Sequence, residues 1–214
     1  MDSELVRILL IVVISYLLGS FPTAYLVGRL RNVNIFEVGS GNMGATNIVR
    51  VAGIGWGAVV WFFDSLKGIL AIVIATQILP GAHATATITA ALAAIVGHNW
   101  SFFVTLLTGT LRGGKGAATA FGTLLMIVPF HIVAVVLAVC GLIIALTRYV
   151  SLGVLIMFSL AMIWILVLIA QNAMPWEYVF YSVSVLALLL VRFRDNIQRL
   201  IAGTERRIGE RASG

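Results

Sequence analysis

Two short glycine-rich segments carry groups that could bind an anion. The first, loop 1, reads GSGNMG at 39–44, and the second, loop 2, reads GGKG at 113–116. Successive glycines let backbone N–H groups converge on an oxyanion, and the Lys115 ammonium adds a positive charge. Loop 2 lacks the spacing of a nucleotide-binding P-loop, because a glycine follows its lysine. On its residues alone, loop 2 is either a phosphate site or a plain tight turn.

Ionisable side chains also lie within apolar stretches of the chain. Asp64 and Lys67 are three residues apart, so they share one face of a helix. Charges at such positions line a cavity or pair with each other, so both a substrate contact and a purely structural ion pair stay open. His98 ends an apolar run shortly before loop 2 and lies on the side of that loop, so it is a candidate site residue, although a lone histidine is often only a packed polar residue. His83 and His131 are interpreted as packed polar residues.

The composition indicates a membrane protein. Of 214 residues, 61% are apolar and 10% are charged, whereas an ordinary soluble domain has about 45–50% and about 25%. The net charge of +6 resides in short loops and in the C-terminal tail, so we expect membrane lipids and no nucleic acid as partners. The single cysteine, Cys140, excludes a disulfide framework, and with three scattered histidines it predicts no metal site.

Apolar runs of about 18 or more residues predict an all-α integral membrane protein. The prediction is about seven transmembrane helices, near 5–27, 53–79, 84–105, 117–128, 130–147 and 152–170, with a last one ending near Val191. The long apolar run 117–147 is divided at Pro129, because proline interrupts helical hydrogen bonding.

The distribution of basic residues predicts the orientation. The positive-inside rule places the N-terminus outside and the C-terminus in the cytoplasm. Arg7 is the exception, and the acidic N-terminus with no cleavage site indicates a retained first span. The basic residues then assigned to the cytoplasmic side, besides the arginine-rich tail, are Arg29, Arg31, Arg50, Arg112, Lys115 and Arg148. Both glycine-rich loops therefore face the cytoplasm.

The last residues are expected to form a short tail in the same domain. The membrane domain spans 1–192 and the tail spans 193–214. Apolar residues at helical spacing predict an amphipathic helix on the inner leaflet. These residues are Phe193, Ile197, Leu200, Ile201 and Ile208. The residues beyond 200 also fit a simple positively charged anchor.

Taken together, these motifs resemble the PlsY family, the bacterial acyl-phosphate:glycerol-3-phosphate acyltransferases. The matching segments are GSGNMGATN at 39–47 with Arg50, DSLKG at 64–68, Gly97-His98 with GGKG at 113–116, RYVSL at 148–152 and NIQRL at 196–200. The likeness runs through essentially the whole chain in order.

The resemblance implies transfer of a fatty acyl group from acyl phosphate to the 1-hydroxyl of glycerol 3-phosphate. The products are lysophosphatidic acid and phosphate, in the first acylation step of phospholipid biosynthesis, with no cofactor and no acyl-CoA. It implies a multi-pass protein of the bacterial inner membrane with a cytoplasmic active site. It also implies a functional link to the enzyme that makes acyl phosphate.

The same resemblance assigns the site residues. Ser40 and Arg50 are expected to bind glycerol 3-phosphate, loop 2 with Lys115 to bind phosphate, and Ser151 and Asn196 to lie around the donor. The expected catalytic residues are Ser40, Arg50, His98, Lys115 and Asn196. The expected substrate-binding residues are Gly39, Gly41, Asn42, Gly44, Thr46, Asn47, Asp64, Lys67, Gly113, Gly114, Gly116 and Ser151.

Three departures from the family pattern accompany these assignments. Phe193 stands where a histidine is usual, NIF at 34–36 stands where Asp-Ile-Arg is usual, and the stretch 98–113 is about five residues longer than expected. A non-catalytic or altered-substrate paralogue is therefore one alternative. A transporter of phosphorylated solutes is another alternative, although such proteins often have two related halves and this sequence shows no internal repeat.

Overall fold

The computed structural model describes residues 2–209, and all regular structure within that range is helical. The described residues form two compact units, 2–123 and 124–209. The predicted all-α class is confirmed.

The first unit is built around three long helices that pack on one another: α1, α4 and α5. Its helices are α1 (Asp2–Ser20), α2 (Thr23–Leu30), α3 (Ala45–Ala52), α4 (Ile54–Ile78), α5 (His83–Asn99), α6 (Phe102–Thr108) and the first part of α7 (Ala117–Ile127), with a 3-10 turn at Pro80–Ala82. Small residues allow α1 and α5 to approach closely, because a side chain added at Gly19 would collide with the Ala94 carbonyl.

A buried apolar cluster lies beneath loop 1. It joins α2, α3, α4 and α6 to the loop itself through Ala24, Val27, Ile35, Met43, Ile48, Val60 and Val104. Met43 is the apolar residue of loop 1 and is 1% exposed. Its burial anchors the loop to the helices and leaves the polar residues on either side of it less buried.

The second unit contains the end of α7 and four further helices. These are α8 (Phe130–Thr147), α9 (Val150–Ala170), α10 (Tyr178–Arg192) and α11 (Arg194–Ile201). Helix α9 packs against α8, α10 and α11. Its core includes Phe158, Ile165, Tyr181 and Leu189, each at most 1% exposed.

The helices match the predicted apolar runs, with differences in length. Within residues 2–209, five segments are long and apolar enough to cross a bilayer: Ser3–Leu30, Ile54–Ile78, Pro80–Thr108, Phe130–Thr147 and Val150–Ala170. The other two predicted spans appear as α7 with 11 residues and α10 with 15 residues, short of the roughly 20 that a straight span needs. Seven crossings and their orientation therefore stay predictions.

Prolines account for two of the helix boundaries. Helix α7 ends at Ile127 and α8 begins at Phe130, so Pro129 separates two helices as predicted. The first predicted span is not one continuous helix, because α1 ends at Ser20 and α2 begins at Thr23. Pro22 has no N–H to continue the α1 hydrogen-bond ladder.

The tail helix is shorter than its apolar spacing predicts. Helix α11 ends at Ile201, and Gly203 follows with a φ of +70°. Residues 204–207 are not helical, so Ile208 does not continue the apolar face of α11. Residues 210–214 of the predicted tail lie outside the described residues.

Candidate active site

Loop 1 is shaped by the side-chain amide of Asn47. This residue is 2% exposed, and its Oδ1 accepts a hydrogen bond from the Ser40 N–H at 3.0 Å. Its Nδ2 donates to the carbonyls of Ile35 at 2.9 Å and Val38 at 3.2 Å. Gly39 has a φ of +59°, and a side chain there would collide with Asn47 Oδ1. Asn47 therefore acts on the loop backbone and fixes where Ser40 is presented.

Helix α3 begins directly after loop 1 and carries further predicted site residues. Thr46 and Arg50 lie four positions apart and so share one face of α3. Within the loop, Asn42 Nδ2 donates to the Ser40 carbonyl at 3.1 Å, and Gly41 has a φ of +64°. These predicted residues lie close together in the first unit.

Loop 2 lies against both loop 1 and the end of α5. The Gly114 N–H donates to the His98 carbonyl at 2.9 Å, and the Met43 N–H approaches the Gly113 carbonyl at 3.5 Å. A side chain at Gly114 would collide with the Met43 carbonyl and with His98 Nε2. The two glycine-rich loops are thus neighbours, at a separation that only glycine permits at position 114.

Asp64 and Lys67 form a buried ion pair, with 2.8 Å between Oδ1 and Nζ. Lys67 Nζ also donates to the Phe21 carbonyl at 2.9 Å, where α1 ends ahead of Pro22. This arrangement favours the structural alternative for the pair, and its role in substrate binding stays a prediction. His98 Nδ1 lies 3.9 Å from Asp64 Oδ1, so the imidazole sits between that carboxylate and Gly114.

A second polar cluster, the Glu205 cluster, lies in the second unit and consists of Ser151, Asn196, Arg199 and Glu205. The buried carboxylate of Glu205 accepts from Ser151 Oγ at 3.1 Å and from Asn196 Nδ2 at 2.6 Å. Its other oxygen accepts from Arg199 Nε at 2.8 Å. The two residues predicted to lie around the donor are therefore brought together by a carboxylate.

The segment that carries Glu205 is fastened to the α8–α9 junction. The Ile208 N–H donates to the Arg148 carbonyl at 2.8 Å, and the Arg148 guanidinium donates back to the Ile208 carbonyl at 2.8 and 3.2 Å. These bonds hold the residues after α11 beside Ser151, in the first turn of α9.

Glu205 and Arg199 were missed from the sequence. Glu205 is followed directly by Arg206 and Arg207, and a carboxylate next to two arginines in a basic tail was the available signal. Phe193, where the family usually has histidine, is 5% exposed at the junction of α10 and α11.

Comparisons with known proteins identify the family. The family model described as "Glycerol-3-phosphate acyltransferase" matches residues 9–203. A glycerol-3-phosphate acyltransferase of Halalkalibacterium halodurans is 39% identical over 94% of this chain and 96% of its own. One from Thermus thermophilus is 43% identical over 93% of this chain and 94% of its own.

The fold is similar to two crystal structures of PlsY (YgiH), an integral membrane glycerol 3-phosphate acyltransferase. Its glycerol 3-phosphate form has a TM-score of 0.82 at 34% identity, covering 94% of this chain and 96% of that one. Its lysophosphatidic acid form has a TM-score of 0.79 at 34% identity, covering 94% and 95%. The chain belongs to the glycerol-3-phosphate acyltransferase family and is an integral membrane acyltransferase of the PlsY type.

Proposed function

We propose that this acyltransferase moves a fatty acyl group from acyl phosphate to the 1-hydroxyl of glycerol 3-phosphate. The observation that carries the proposal is the contact between loops 1 and 2. Ser40 and Lys115 thus lie on neighbouring glycine-rich segments, whose backbone N–H groups can turn toward an anion. The PlsY structures in glycerol 3-phosphate and lysophosphatidic acid forms support the acceptor and the product.

Loop 2 is proposed to bind a phosphate group. It leads into the N-terminus of α7, where first-turn N–H groups have no acceptor within the helix and favour an anion. Lys115 is half-buried on this loop, and Arg50 on α3 is half-buried beyond loop 1. Two positive charges near converging amides suit a doubly charged phosphate ester.

Ser151 and Asn196 are proposed to act around the donor. Glu205 holds both side chains in fixed positions, through hydrogen bonds of 3.1 and 2.6 Å. Fixed partners reduce the conformational entropy lost when a substrate is oriented.

The chemistry requires no covalent enzyme intermediate. The acceptor hydroxyl oxygen attacks the acyl carbon, the bond between that carbon and the phosphate oxygen breaks, and inorganic phosphate leaves. The hydroxyl proton passes to the departing phosphate or to His98. Because acyl phosphate is a mixed anhydride with a good leaving group, positioning and charge stabilisation supply most of the acceleration.

The cellular setting follows from the same proposal. We place the protein in the bacterial inner membrane with loops 1 and 2 on the cytoplasmic face. An enzyme that makes acyl phosphate must then supply the donor to the same membrane.

The experiment is an assay of the purified protein in phospholipid nanodiscs with acyl phosphate and labelled glycerol 3-phosphate. We expect labelled lysophosphatidic acid and inorganic phosphate in equal amounts. Acyl-CoA in place of acyl phosphate is the donor control, and Ser40→Ala is the site control. Product formed from acyl-CoA but not from acyl phosphate would overturn the proposed donor.

A further inference from the structure

Asn99, the last residue of α5, has a buried side-chain amide that is unsatisfied. Its exposed fraction is 0%, and neither Oδ1 nor Nδ2 has a hydrogen-bond partner among residues 2–209. A buried amide without partners costs free energy, and most buried polar side chains in proteins are paired. The position therefore requires an explanation.

Asn99 contacts both ends of loop 2. Its backbone carbonyl lies 2.5 Å from the position that a Cβ would take at Gly113, and its Oδ1 lies 2.6 Å from the corresponding position at Gly116. Backbone hydrogen bonds on either side, from Gly114 to His98 at 2.9 Å and from Ser101 to Arg112 at 3.0 Å, fix this approach. The amide thus lies against the glycine that leads into α7.

The start of α7 contains a second unsatisfied polar side chain. The Gly116 carbonyl accepts from the Ala120 N–H at 2.8 Å, so the first-turn N–H groups of α7 follow directly after loop 2. Thr119 lies in that first turn, is 0% exposed, and its Oγ1 has no partner among the described residues. Two buried neutral side chains without partners among the described residues, Asn99 beside Gly116 and Thr119 three positions after it, therefore lie next to the segment where the proposed function places an anion.

We propose that Asn99 is a positioning residue whose amide is satisfied only when loop 2 binds a phosphate group. This inference rests on the proposed phosphate role of loop 2. The N–H and C=O of one peptide point in opposite directions, so a loop peptide that turns its N–H toward an anion turns its carbonyl away. That carbonyl then needs a donor behind the loop, and Asn99 Nδ2 supplies it after rotation of the amide exchanges Oδ1 and Nδ2.

The inference predicts effects of opposite sign on ligand-free stability and on phosphate binding. Asn99→Leu keeps the branching and the number of heavy atoms and removes two unsatisfied polar atoms, so the ligand-free protein keeps or raises its Tm. The phosphate-bound form loses its donor. We expect about a tenfold higher KM for glycerol 3-phosphate and a smaller rise in Tm on addition of inorganic phosphate, since one hydrogen bond is lost in that form alone.

Thr87→Val is the matched control. Thr87 lies on the same helix, is 1% exposed, and its Oγ1 also has no partner among the described residues, but it is 12 positions from Asn99. The control should keep or raise Tm while leaving the KM and the phosphate-induced rise in Tm unchanged.

A second variant, Asn99→Asp, decides the matter if Asn99→Leu does not fold. It keeps the shape and places a carboxyl group behind loop 2, so it should raise the KM for glycerol 3-phosphate by more than tenfold. An unchanged KM and an unchanged phosphate-induced rise in Tm, in whichever variant folds, would overturn the proposal. A fall in ligand-free Tm with no change in phosphate binding would also overturn it, because Asn99 would then serve folding alone.

These experiments distinguish failure of the proposed acyl phosphate donor from failure of the proposed role of Asn99. If wild-type protein forms no lysophosphatidic acid from acyl phosphate, the proposed donor fails. The Tm response to inorganic phosphate requires no turnover, so it still decides whether Asn99 positions loop 2.

Discussion

The paired loops of the first unit and the Glu205 cluster of the second unit are held together by different forces. Loops 1 and 2 meet through backbone contacts that exist because Gly114 has no Cβ atom. The Glu205 cluster meets through one carboxylate that accepts from Ser151, Asn196 and Arg199. The first site should therefore be sensitive to an added methyl group and the second to a lost charge.

Gly114→Ala should give the largest effect. The new methyl group would collide with the Met43 carbonyl and His98 Nε2, so loops 1 and 2 must separate. Since a displacement of about 1 Å at a catalytic site can cost about a hundredfold in rate, we expect at least that loss in kcat/KM. Gly141→Ala is the control, because nothing lies within 4 Å of a Cβ there. Near-normal activity of Gly114→Ala would show that the loops tolerate separation.

Lys115→Ala should have the next largest effect. It measures how much the positive charge of Lys115 contributes to activity at loops 1 and 2. A charge-assisted hydrogen bond contributes about 1.5–3 kcal/mol, which corresponds to roughly a ten- to hundredfold loss in kcat/KM for glycerol 3-phosphate. Lys115→Arg keeps the charge and should lose much less. Equal activity of Lys115→Ala and wild type would mean that loop 2 is only a tight turn.

Glu205→Gln should destabilise the second unit and leave acceptor binding unchanged. The neutral amide loses its charge-assisted bond to Arg199, at a cost of about 1.5–3 kcal/mol, and Tm falls by several degrees. Asp195→Asn is the matched control, because that exposed carboxylate pairs with exposed Arg194 at 3.4 Å and such pairs contribute little. Equal Tm values for the two variants would contradict a stabilising role for the carboxylate.

Phe193→His should give the smallest effect, and it tests whether position 193 faces the acyl phosphate. An imidazole N–H at this buried position can donate to the donor phosphate, so we expect the KM for acyl phosphate to fall by about two- to tenfold, the value of one neutral hydrogen bond. The KM for glycerol 3-phosphate should not change. A shift in the glycerol 3-phosphate KM alone, with Phe193→Leu as the comparison, would mean that position 193 does not face the donor.

Much of the helical architecture was predictable because it depends on local pattern. Apolar runs marked the helices, and Pro129 marked the division between α7 and α8, because proline lacks the N–H that a helix interior requires. The break at Pro22 was missed, although the same rule applies there. The run is apolar on both sides of that proline, so hydropathy alone shows one continuous span.

The sequence located the two glycine-rich loops but not the contacts made around them. The glycine pattern indicated loops 1 and 2, but Asn47 was expected to bind substrate, whereas its amide bonds to the loop backbone at Ser40, Ile35 and Val38. Glu205 depends on the chain turning back after Gly203, which brings it to residues 54 and 9 positions away. Pairings at such distances leave no periodic signal in a sequence.

The hydrogen bond from Lys67 to the Phe21 carbonyl affects which helices associate with each other in the bilayer. Apolar helix faces gain little from meeting each other in a bilayer, because lipid tails solvate them equally well. Asp64 and Lys67 lie three residues apart on α4, so that helix can enter the membrane with its charges already paired. The second acceptor for the ammonium is the Phe21 carbonyl, which lies between the end of α1 at Ser20 and the start of α2 at Thr23. The break between α1 and α2 thus supplies a backbone carbonyl that the α4 ammonium can bind during assembly, whereas the carbonyls inside an unbroken helix are already bonded to N–H groups of that helix.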